Sequence, residues 1–330
     1  MAEREVRSGG PFQWIPGDGP DEQAIGRLLG HFERPEEAMG EAWFMGETRT
    51  IYDSLLDTDV AKWPQKEIQS ILVEIASGLK HFGHADNWAD WYGYLLPRCM
   101  PRAFECHIDY LFETLVTGCM AVMPDSCTSW GYPSFREDAL ATLGKAIMAP
   151  TLWPDGPRVS AGCLHRYDTA PTGYPVWGDA SGDFSASMFF CLKYLVPEDV
   201  PAWTKSVFDI PCPRWRAQVL VWLVGAKAII DGKISQPEKL DEQHNLDVEW
   251  AWSHIIDGQN AAYDEGMENQ VGRIEFLPKA NRLLFLETVA GIMNESLLSE
   301  WLESLMGSEH LFDQVTSVAV PEQLRQMYRF

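Results

Sequence analysis

His81 and His84, followed by Asp86 and Asp90, form the grouping in this chain nearest to a metal-ligand set. On a continuous helix the two imidazoles would share a face at i, i+3, and neutral imidazole with carboxylate suits zinc or iron. Gly83 and the pair Asp86-Asn87 point instead to a helix boundary, with Asp86 as the N-cap of the helix that follows. Metal sites are usually marked by tighter spacing, so the boundary is the preferred reading and no metal or other cofactor is expected. Cys163, His165 and Asp168 have the types of a nucleophile, a base and an orienting carboxylate. Such groups are normally brought together from distant segments, so their closeness in sequence favours an ordinary polar loop. His107 with Asp109, and His254 with Asp257, read equally well as helix-surface pairs or caps. Phosphate-binding glycine loops, the dinucleotide fingerprint, the nucleophile elbow and the H-E-x-x-H zinc motif are all absent from the sequence.

Charge offers a different chemistry. The formal net charge is -22, and between Glu238 and Glu309 there are 15 acids against 4 bases. Within that stretch Asp241, Glu242, Asp247 and Glu249 precede Trp250 and Trp252, and Asp257, Asp264, Glu265 and Glu268 follow. Apolar anchors ringed by carboxylates suit a basic protein partner, drawn in by long-range attraction. The competing reading is plain solvation, in which outward charges keep a Trp-rich chain soluble. The stretch holds almost no counter-charge of its own, so self-repulsion would oppose folding unless a partner relieved it. A pI near 4.7 has the wrong sign for a phosphate backbone, so nucleic acid is not an expected partner. Arg98 with Arg102, and Arg214 with Arg216, are mildly basic spots, each suited to a salt bridge.

Helical elements must position these groups. Pro64 opens an amphipathic stripe at Ile68, Ile71, Leu72, Ile75 and Leu79. Phe104, Ile108, Leu111, Phe112, Leu115 and Cys119 form a second stripe. Ser134 with Glu137 carries a capping-box signature ahead of Leu140, Leu143 and Ile147. Ala217 to Ile230 is the longest apolar run, shorter than the ~20 residues a membrane span needs, and reads as a buried central helix. Leu297, Leu298, Trp301, Leu302, Leu305 and Met306 form another stripe, with Asn294 or Ser296 as N-cap, and Pro321 starts a last short helix. Val315 to Val320 is β-branched in part but has no hairpin partner.

The fold class expected is all-α: an irregular array of paired antiparallel helices, HEAT-like or two-bundle, around one long mid-chain loop. Residues 1–20 are a turn-rich leader in which Phe12, Trp14 and Ile15 could anchor to the body. Residues 21–148 form an N-terminal helical half and 184–330 a C-terminal half with the acidic surface. The loop between them, 149–183, carries five prolines and five glycines together with Trp153, Tyr167, Tyr174 and Trp177. From seven cysteines with no C-x-x-C, and an N-terminus lacking an apolar stretch, a reducing, cytoplasmic setting is expected. The expected function is non-enzymatic binding of a basic protein, in the manner of an immunity or antitoxin-like inhibitor, without nucleic acid or membrane as partner. A helical-repeat scaffold is one alternative, and an enzyme with a site near His81 and His84 is the other.

Overall fold

The computed structural model describes residues 10–37, 54–64, 67–68, 70–72, 85–105, 111–124, 132–154, 156, 158–159, 168–169, 175–176, 182–235, 237, 248, 250, 276–307 and 319–330. These residues are helical almost throughout, and the class is all-α. In chain order the helices are α1 (Glu22–His31), α2 (Ser54–Asp57), α3 (Ala85–Glu105), α4 (Leu111–Val122), α5 (Phe135–Ala141), α6 (Gly182–Tyr194), α7 (Val200–Asp209), α8 (Pro213–Gly225), α9 (Lys227–Ile230), α10 (Lys279–Ile292), α11 (Glu295–Leu305) and α12 (Val320–Tyr328). Within the mid-chain loop, β1 (Asp168–Thr169) pairs antiparallel with β2 (Pro175–Val176).

Helix starts follow local chemistry. The Asp21 carboxylate accepts from the Ala24 N–H at 2.7 Å and starts α1. Asn294 does the same for α11, accepting from Leu297 N–H at 3.0 Å. Ser134 occupies the N-cap position of α5, but its hydroxyl makes no capping bond, so the capping box expected there is not formed. The stripe through Leu140, Leu143 and Ile147 is buried, yet it spans α5 and then a 3-10 segment, Leu143–Met148. The stripe from Phe104 to Cys119 is likewise split between α3 and α4. Val320 opens α12 and is not part of a strand.

α3 runs through Pro97 and Pro101. Each proline lacks the N–H that a carbonyl one turn back would accept and crowds that carbonyl. In the same turn Arg98 donates from Nη1 to the Tyr94 carbonyl at 2.7 Å.

The core is one cluster that reaches from Trp14 to Leu324 and draws on both halves of the chain. Its centre is α6 and α8. The Ala217 to Ile230 run is buried as expected, though it breaks at Ala226 into α8 and α9. Phe184 meets Trp215 edge-on at 5.0 Å, and Phe189 lies 5.2 Å from Trp222. The leader docks through Trp14, whose ring meets Trp203 at 5.4 Å and whose Nε1 donates to the Gly144 carbonyl at 2.7 Å. Phe12 packs against the core, but Ile15 is 47 % exposed and does not anchor the leader. Trp153, at the start of the mid-chain loop, is buried and donates to the Ile147 carbonyl at 2.9 Å.

α4 and α6 pack closely and run parallel. At their N-terminal ends the Glu113 N–H donates to the Asp183 carboxylate at 3.1 Å. At their C-terminal ends the Tyr194 hydroxyl donates to the Met123 carbonyl at 2.6 Å. Antiparallel pairing suits helices joined by short turns, whereas these two are separated by the α5 region and the long loop, which return the chain to the same end. This parallel pair is what receives the acidic segment.

Candidate functional site

The acidic segment is rooted on the α4–α6 pair. Trp250 is 6 % exposed, and its Nε1 donates to the Thr117 hydroxyl at 3.0 Å. Its ring stacks on Phe189 with centroids 5.6 Å apart and planes 18° from parallel. Phe276, also buried, meets Phe189 at 5.6 Å and Trp250 at 6.1 Å. Val248 is buried beside them. The chain therefore plunges into the body at Val248 and Trp250 and is held again at Phe276 and Leu277.

Lys193 fastens the second root. The residue is 4 % exposed, and its ammonium donates to the Phe276 carbonyl at 2.9 Å, 5.3 Å from the Phe276 ring and 5.7 Å from that of Tyr194. Desolvating an ammonium is expensive unless oxygens and aromatic faces receive it, and both are present here. Asn281 nearby donates from Nδ2 to the Leu192 and Leu195 carbonyls, closing the C-terminal end of α6. Beneath the root, burial raises the Tyr92 hydroxyl and pushes the Cys119 thiol up to about 12.

Trp250 is thus an internal anchor, which corrects the expectation that it forms an exposed hot spot for a partner. Acidic neighbours in sequence suggested exposure, but the indole has both an apolar pocket and a hydrogen-bond acceptor inside the body. Asp241, Glu242, Asp247, Glu249, Trp252, Asp257, Asp264, Glu265 and Glu268 lie outside the described residues. So do His81, His84, His107, Asp109, Cys163, His165 and His254. Asp86 falls within the first turn of α3, one residue past its Ala85 start, and Asp90 is exposed on the same helix. Asp168 belongs to β1.

Two of the acids described in the C-terminal third, Glu295 and Glu300, meet counter-charges from elsewhere in the chain. Arg325 grips Glu295 with Nε at 2.9 Å and Nη2 at 2.7 Å, holding that carboxyl below its ordinary range. Arg216 reaches Glu300 at 3.3 Å while its guanidinium lies 5.3 Å from the Trp301 ring. Arg216 thus makes the salt bridge expected of it. Among the described residues Arg98 makes none: it lies 3.8 Å above the Tyr94 ring and donates to carbonyls.

A further polar grouping joins α1 to α5. Asp138, buried, accepts from Arg27 Nε at 3.1 Å and Nη2 at 2.5 Å, and from the Tyr132 hydroxyl. His31 stacks on Tyr132 at 4.6 Å. With its oxygens filled by donors, Asp138 is positioned to hold α1 in place. An apolar crevice lined by Leu55, Val60, Trp63, Ile68, Ile71, Leu95 and Cys99 offers no polar group to a ligand. Among the described residues no group of His, Cys, Asp and Glu could hold a metal ion. No described helix is long and apolar enough to cross a membrane.

The chain matches no protein-family profile, no curated protein and no solved structure.

Proposed function

We propose that this chain is a non-catalytic binding protein that captures a basic protein partner through its acidic segment, acting as an immunity or antitoxin-like inhibitor. The observation that carries the reading is the double root at Trp250 and Phe276, which ties the most acidic part of the sequence to the centre of the core. An acidic stretch tethered this firmly loses less freedom on binding than a loose tail would. Its field extends about 8 Å at physiological ionic strength, enough to steer a cationic surface before contact. Asp241, Glu242, Asp247, Glu249, Asp257, Asp264, Glu265 and Glu268 supply the charge, with Trp252 as apolar anchor. Covering a basic catalytic surface, such as that of a nuclease, would neutralise it without chemistry from this chain. The buried free thiols of Cys99, Cys119, Cys191 and Cys212 support a reducing, cytoplasmic setting.

The test is affinity capture from the source cell at low and at high salt, read by mass spectrometry, using the native chain and the variant D241K/E242K/D247K/E249K. The reading expects one stoichiometric basic protein that dissociates as salt rises and is missing from the reversed variant. A partner retained equally by both chains would refute it.

A further inference from the structure

We propose that Arg34 and Arg98, set about Tyr94 where α1, α2 and α3 meet, form a binding site for a phosphoryl group. In a chain with 48 acids and 26 bases, these two guanidiniums stand without a carboxylate partner among the described residues. Arg34 donates from Nε to the Tyr94 hydroxyl at 3.0 Å, from Nη1 to the Leu56 carbonyl at 2.7 Å and from Nη2 to the Thr58 carbonyl at 3.1 Å. These bonds hold its charge in a fixed place at the end of α2. Arg98 lies 3.8 Å over the Tyr94 ring and Arg34 lies 5.5 Å from the same centroid.

Arg98 is the half-engaged member. Among the described residues its Nη1 alone is bonded, to the Phe32 carbonyl at 3.2 Å and the Tyr94 carbonyl at 2.7 Å. Its Nε and Nη2 make no hydrogen bond to any described residue, and neither is among the buried polar atoms that lack a partner. That Nε–Nη2 edge is the side of the fork that grips two oxygens of a phosphate or carboxylate at once. Stacking on Tyr94 and the two carbonyls hold the plane of the fork, so a ligand would meet a donor pair already oriented. Burial and the Arg34 charge work against the Arg98 charge, while Tyr94, Cys99 and Asp59 favour it. An oxyanion bound on the open edge would offset the Arg34 charge.

Equilibrium dialysis at about 150 mM salt tests the site, with inorganic phosphate and phenyl phosphate as probes and chloride as background. One saturable phosphate per native chain is expected. Arg98→Lys, which keeps the charge but loses the bidentate edge, should bind about tenfold more weakly or worse, and Arg34→Lys, which loses the bonds that fix its charge beside Arg98, should also bind more weakly. Equal binding of the two probes would assign free phosphate, and tighter binding of phenyl phosphate would assign an organic monoester. No saturable binding to the native chain overturns the proposal whatever the variants do. So does binding that both lysine variants retain in full.

Discussion

Trp250 shows how much one side chain can decide. Its indole combines an apolar surface on Phe189 with a hydrogen bond to Thr117, 133 residues away in sequence. Trp250→Ala should destabilise the chain by about 3–5 kcal/mol through the cavity left behind. Trp250→Phe, which keeps the ring but loses the donor, should cost about 1 kcal/mol. Urea unfolding followed by far-UV circular dichroism separates the two, and equal losses would argue against the Thr117 bond. The sequence placed aromatic residues among acids at this position but could not reveal the inward contact, because the acceptor and the stacking ring come from α4 and α6. Leu298 and Trp301, by contrast, declared their burial through helical spacing alone.

Among the elements, the amphipathic stripes were legible because a period of 3.6 is local, and so was the Asn294 cap. Where helices break was less so. Ser134 has the right type for a cap without making the bond, and Ala226 divides an apolar run that reads as interrupted at Lys227 alone. The parallel packing of α4 and α6 was illegible for a different reason: it depends on the path of the chain between them. On another side of α4, packing against α3 brings Gly118 against Tyr92, where a Cβ would lie 2.5 Å from the ring. Gly118→Ala should therefore destabilise by about 1–3 kcal/mol despite alanine's better helix propensity. Gly26→Ala in α1, where nothing lies within 4 Å, is the control and should be neutral or mildly stabilising by urea midpoint. A neutral Gly118→Ala would mean α3 and α4 are not packed this tightly.

Across the whole molecule, the charge pattern needed long-range pairing to be read correctly. The window from Glu238 to Glu309 looked devoid of counter-charge, yet Glu295 and Glu300 meet Arg325 and Arg216 from outside it. The acids that motivate partner capture are therefore those nearer Asp241 to Glu268. Buried thiols and phenols set the alkaline limit of the fold. Burial raises Tyr92, Cys191 and Tyr328, and carries Cys119 from its ordinary 9.0 to about 12. The folded chain then holds protons that the unfolded chain releases, so stability from these groups is complete below about pH 9 and falls as pH rises toward 12. The urea midpoint should be steady between about pH 7 and 8 and fall by about pH 10.5. A midpoint unchanged in alkali would show that these groups are not buried.

The most direct measurement of the capture reading is the salt dependence of affinity for the captured basic protein, from about 50 to about 300 mM salt. It would be made on the native chain and on D241N/E242Q/D247N/E249Q. Electrostatic capture predicts affinity that falls steeply with salt in the native chain, and a shallower fall from a weaker starting point in the neutralised variant. An affinity indifferent to salt, or identical in the two chains, would contradict it and leave the acidic segment with solvation as its role.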